Sequence, residues 1–136
     1  MDSLVRERLA DCTVFVVDDD AAMRDSLQAL FEVRGFNVEC FESAGAFRAR
    51  HDRDARGCLI VDLNMPEAGG LDMLRMLAVE GYRLPTIIMS GQFGGDYCAR
   101  ARAAGAVACI DKPFEPARLI ETVLQAMPAG PIGSRT

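Results

Sequence analysis

Short apolar runs rich in β-branched residues recur along the chain at Thr13 to Val17, Asn37 to Phe41, Cys58 to Val61, Thr86 to Met89 and Val107 to Ile110. They read as five strands. Between and after them the apolar positions take helical spacing. Met23, Leu27, Leu30 and Phe31 precede Gly35; Leu71, Leu74 and Leu77 precede Gly81; Tyr97 to Ala104 precede Gly105. Each glycine stands where a helix C-cap belongs. Ala44 to Arg50 forms a shorter helix, and Pro116 to Met127 a last one with Leu119, Ile120, Val123, Leu124 and Met127 on its apolar face. Strands that alternate with helices make a parallel sheet, because a parallel connection needs a crossover. Three of the strand runs are almost wholly apolar, as burial on both faces requires. The predicted class is α/β, with helices on both faces of one parallel sheet.

Ligands of open parallel sheets bind at the carboxyl ends of the strands, so the polar residues that end each run belong together. The first run ends at Asp18-Asp19-Asp20, the third at Asp62, the fourth at Ser90-Gly91 and the fifth at Asp111-Lys112-Pro113. Clustered acids repel one another unless a cation sits among them. Mg²⁺ suits the set: it takes oxygen ligands, uses few protein carboxylates and often shares its site with a phosphate. An ionised Asp62 beside it is a nucleophile toward a phosphoryl group. Ser90 and Lys112 would then neutralise charge on the equatorial phosphoryl oxygens. Asp20 reads as a helix cap.

A chain of 136 residues, half of them hydrophobic, buries one sizeable core. The expected organisation is an N-terminal extension over 1–12, one domain over 13–127 and a linker-like tail over 128–136. The formal net charge of −5, with no basic block, argues against direct capture of nucleic acid or an anionic membrane. Five cysteines without a CxxC pair point to a reducing cytoplasm, with Cys109 a packed small hydrophobe. His51, inside the polar run His51-Asp52-Arg53-Asp54, reads as a solvated loop residue.

The segments VVDDDAAMR at 16–24, VDLNMP at 61–66, IMSG at 88–91 and AGAVACIDKPF at 104–114 together resemble the receiver domain of two-component response regulators. The last two are most similar to receivers that precede LuxR-type helix-turn-helix outputs. The resemblance implies a flavodoxin-like, doubly wound (βα)5 fold with strand order 2-1-3-4-5. It implies that Asp62 accepts a phosphoryl group from a histidine kinase and serves with Asp19 as a direct Mg²⁺ ligand. Asp18 would hold the ion through water and Asn64 through its backbone carbonyl, and Lys112-Pro113 would be a cis peptide. Function would be a switch, not turnover: self-directed phosphotransfer and dephosphorylation would bias a face built from the fourth helix, fifth strand and fifth helix toward an output module or a homodimer.

Two positions depart from the family pattern. Cys109 stands where Tyr or Phe is usual, and Phe93 is the expected substitute for that moving aromatic. Gly69 replaces a common Asp or Ser, which makes the loop more permissive. Two other functions stay open at this point. One is a haloacid-dehalogenase-like phosphatase built on Asp18-Asp19-Asp20, although the Thr or Val of its motif is missing. The other is a phosphorylation-independent interaction module.

Overall fold

The computed structural model describes residues 13–63, 69–91 and 96–127. Asn64 and Phe93, the 1–12 extension and the 128–136 tail lie outside the described residues. The elements alternate as β1 (Thr13–Val17), α1 (Ala21–Glu32), β2 (Asn37–Phe41), α2 (Ala44–Arg50), β3 (Gly57–Asp62), α3 (Gly70–Glu80), β4 (Thr86–Ser90), α4 (Tyr97–Ala103), β5 (Ala108–Asp111) and α5 (Pro116–Ala126). The strands form one parallel sheet in the order β2-β1-β3-β4-β5, a doubly wound flavodoxin-like arrangement. Among the described residues no helix is long and apolar enough to cross a membrane.

Side-chain alternation along the strands sorts the core into two layers. Val14, Val16, Cys58, Ile60, Ile87, Met89 and Ile110 point to one face, where Leu27 and Phe31 of α1 and Leu119 and Val123 of α5 cover them. Phe15, Val17, Leu59, Val61 and Ile88 point to the other, beneath Phe47 of α2, Met73, Leu74 and Leu77 of α3, and Ala101 of α4. The helices begin and end as their terminal residues dictate. The Asp20 carboxylate caps α1 by accepting from the Ala22 N–H at 3.0 Å, and Ser43 Oγ caps α2 through the Ala46 N–H at 3.0 Å. Gly81 closes α3 in the left-handed region at φ 82°, and Pro116 opens α5.

Strands β3, β4 and β5 each run one residue beyond the apolar run that predicts them, so Asp62, Ser90 and Asp111 are themselves the last strand residues. Backbone pairing with the neighbouring strand, not side-chain hydrophobicity, decides where a strand stops. Val107 instead precedes β5 and is largely exposed.

Gly57 opens β3 at φ +144°, where a Cβ would stand 1.9 Å from the Thr13 carbonyl oxygen. Both the backbone angle and the contact with β1 exclude a side chain there. Gly57→Ala is expected to lower stability by about 1–3 kcal/mol, read as a lower urea midpoint at unchanged m-value.

His51 is not a solvated loop residue. Its ring packs on Phe15, Phe41 and Phe47 at centroid distances of 4.7, 5.8 and 5.6 Å, and its Nε2 lies 2.8 Å from Glu39 Oε1. The Tyr82 hydroxyl donates to its carbonyl at 2.6 Å. Polar sequence neighbours concealed this, because the chain leaving α2 folds the ring back over β1 and β2.

Candidate functional site

Strand register builds the site. Val17 pairs with Phe41 on one side and Val61 on the other, so Asp18 and Asp62 emerge beside each other at the carboxyl edge. Asp62 pairs with Met89, and Ser90 with Asp111, which brings the β4 hydroxyl and the Lys112 side chain to the same edge. Backbone bonds lock the loops there: the Asp18 N–H donates to Phe41, Leu63 N–H to Met89, and Lys112 N–H to Ser90 at 2.7 Å. The Lys112-Pro113 peptide is cis. Arg24 of α1 reaches back, its guanidinium donating to the Asp18 carbonyl at 2.7 Å.

Asp18, Asp62 and Ser90 are buried, at 2%, 8% and 1% exposure, while Asp19 is exposed. One oxygen from each of Asp18, Asp19 and Asp62 lies within 4.8 Å of the others. Lys112 Nζ sits 3.4 Å from Asp62 Oδ1 and 3.7 Å from Asp18 Oδ2. Burial pushes the Asp18 carboxyl above its ordinary value; a hydrogen bond from the Asp20 N–H at 2.9 Å and the Lys112 charge pull the other way without cancelling it. Three carboxylates against one ammonium leave the ionised cluster two negative charges in excess. These are hard oxygen donors without histidine or cysteine among them, the donor set that suits Mg²⁺ better than zinc.

Gly69 and Gly70 are needed for close approach to Leu63, not for permissiveness. A Cβ on Gly69 would meet the Leu63 carbonyl oxygen at 2.7 Å, and one on Gly70 the Leu63 Cα at 3.2 Å. The Gly70 N–H donates to Leu63 at 3.1 Å, so the start of α3 is pressed against the residue after Asp62.

The sequence profile of the response regulator receiver domain matches residues 14–124, a span that holds every one of these groups. The chain belongs to that family. The receiver is 38% identical over 118 residues to the response regulator protein TodT of Pseudomonas putida strain F1, covering 87% of this chain and 52% of TodT. It is 38% identical over 120 residues to the transcriptional regulatory protein FixJ of Bradyrhizobium diazoefficiens, covering 85% of this chain and 58% of FixJ. The chain thus spans about half the length of the curated relatives it matches. The crystal structure of FixJ-N superposes with a TM-score of 0.79 at 38% identity, covering 85% of this receiver and 93% of that chain. Proteins of this family are signalling proteins, and they bind Mg²⁺ at an acidic pocket.

One expected site residue has a different environment. Cys109 is not a packed thiol: it forms a disulfide with Cys98 of α4. Of the other described cysteines, Cys58 is buried and Cys40 half-buried, and both are free. Spacing in the sequence gave no cue to the pairing, because Cys98 and Cys109 meet only where α4 crosses over β5. Burial pushes the Cys58 thiol up to about 12, as befits a cysteine that serves the core.

Proposed function

We propose that this receiver is a phosphorylation-controlled switch whose Asp62 accepts a phosphoryl group from the phosphohistidine of a sensor histidine kinase. The observation that carries the reading is the placement of a buried Asp62 between the Lys112 ammonium at 3.4 Å and the carboxylates of Asp18 and Asp19. A carboxylate oxygen of Asp62 forms the new bond to phosphorus as the phosphorus–nitrogen bond breaks, and the imidazole leaves. Lys112 draws the incoming phosphoryl oxygens toward Asp62 and offsets their charge. Ser90, on the adjacent strand, offers them its hydroxyl.

Asp18, Asp19 and Asp62, with the Asn64 carbonyl, would hold Mg²⁺, Asp18 through water. Bound there, the ion would supply positive charge against the acids and the transferred phosphoryl group. Reversal is self-directed: water, not a second substrate, takes the phosphoryl group from Asp62.

The domain occupies 13–127, with 1–12 an extension and 128–136 a tail. Phosphorylation shifts the population of the α4-β5-α5 face toward an output module or a second copy of the chain. TodT and FixJ are named as response and transcriptional regulators, which supports a transcriptional output. The reading places the protein in the cytoplasm, with neither nucleic acid nor membrane touched by this chain directly.

The test is intact-mass spectrometry after incubation with Mg²⁺ and acetyl phosphate. A single phosphoryl adduct is expected on the native sequence and none on Asp62→Asn. Equal adducts on both would place the acceptor elsewhere and overturn the assignment.

A further inference from the structure

The Cys98–Cys109 disulfide joins α4 to β5, and of the described helices α4 buries the least apolar side chain completely. It has seven residues and buries one side chain completely, Ala101. By contrast α1 buries Leu27 and Phe31, α3 buries Met73, Leu74 and Leu77, and α5 buries Leu119 and Val123. Asp96, the residue that would cap α4, makes no side-chain hydrogen bond to it. A helix of this length without a cap is marginal on its own, and a methyl group anchors it far less than a Leu or Phe. Tyr97 and Ala104 add partly buried contacts with the core, and the disulfide is its covalent tether.

That tether is open to exchange. Cys98 and Cys109 are both half-buried, in contrast to Cys58, which is fully buried. Partial exposure of both residues leaves the bond within reach of a small thiol without unfolding of the core.

We propose that Cys98 and Cys109 are a dithiol–disulfide couple that exchanges with small-molecule thiols, and that its redox state sets how firmly α4 is held on the sheet. In the reducing direction an external thiolate attacks Sγ of Cys109. The Cys98–Cys109 bond breaks, Cys98 departs as a thiolate and takes a proton from water, and a mixed disulfide remains on Cys109. A second external thiolate then attacks the external sulfur of that mixed disulfide, releasing Cys109 and forming the external disulfide. Two external thiols are oxidised as one protein disulfide is reduced; oxidation by a small-molecule disulfide is the reverse.

The couple sits close to the acidic pocket. Cys109 lies on β5, whose last residue pairs with Ser90 and is followed by Lys112. The proposal concerns the hold on α4 and does not depend on phosphoryl transfer at Asp62.

The experiment uses the chain with its native sequence, equilibrated in glutathione buffers from fully oxidised to fully reduced, without denaturant. Alkylation followed by peptide mass mapping reads the state of Cys98 and Cys109, and amide hydrogen exchange is measured on the same samples. Reduced glutathione is expected to open the pair, and the amides of α4 then to exchange about 100-fold faster, the factor that closing a short loop by a disulfide implies. Amides of α1 and α5 should keep their rates. Cys98→Ser should show the fast α4 exchange in either buffer. A pair that glutathione leaves intact would overturn the exchange site. Unchanged α4 exchange after reduction, or equal acceleration in all helices, would overturn the local hold on α4.

Discussion

Replacing Phe47 by alanine will cost the receiver about 3–5 kcal/mol of folding stability, the range for truncating a fully buried phenylalanine. Phe47 is wholly buried, and its ring meets Phe15 and Phe41 edge-on at 5.5 Å each, stacks on His51 at 5.6 Å and touches Tyr82 at 5.7 Å. One helix of two turns thereby binds β1, β2 and the start of the loop to β3 into a single aromatic cluster. The hole cannot collapse easily, because two of its walls, Phe15 and Phe41, are strand residues held by the ladder. Small domains have roughly 5–15 kcal/mol in total, so Tm should fall by about 12–20 °C. Urea unfolding of Phe47→Ala checks this: a loss under about 1 kcal/mol would mean that the neighbours close the hole, contrary to the rigid cluster described. The carboxyl-edge residues are not part of the cluster, so Mg²⁺ binding should survive at temperatures where the variant is folded.

The second large effect is on the acids themselves. Millimolar Mg²⁺ should raise the Tm of the receiver by about 10 °C if it is present at roughly 100 times its dissociation constant, which corresponds to about 2.7 kcal/mol. Without Mg²⁺, Asp18→Asn should be more stable than the native sequence at pH 7. The folded state holds the Asp18 proton more tightly than the unfolded chain, chiefly because the group is buried. Folding then favours the protonated form, so stability is higher at low pH. It falls as pH rises from the ordinary carboxylate value through the raised value, and stays lower above it. Asparagine keeps an acceptor for the Asp20 N–H and removes the charge, so this decline should flatten in the variant. Adding Mg²⁺ should narrow or reverse the order, since the ion compensates a charge that asparagine lacks. Thermal melts of both proteins at several pH values, with and without Mg²⁺, read all of this. A lower Tm for Asp18→Asn without Mg²⁺ would show that the Lys112 attraction outweighs burial.

Much of this site was legible in the linear sequence because it depends on local signals. Asp62 is noticed because an acid ends an otherwise apolar strand, and Asp20 because aspartate precedes a helical period. The boundaries that shifted were those set by hydrogen bonding between strands, as at Asp62, Ser90 and Asp111. The readings that changed concerned long-range encounters. His51 sits in a polar run yet is packed on three phenylalanines, and Gly69, which looked like a loosening of the loop, is required by the approach of Leu63.

What the sequence by itself determined is the alternation of strand and helix and the polar residues that end each strand, since periods of two and 3.6 residues are properties of neighbours along the chain. Only the tertiary structure decided that Lys112 stands 3.4 Å from Asp62, that three carboxylates share one small volume, and that Cys98 and Cys109 are bonded. Those distances follow from the strand order β2-β1-β3-β4-β5 and from the line each helix takes across the sheet. Both are settled by how two apolar faces are covered at once, which no stretch of local pattern specifies.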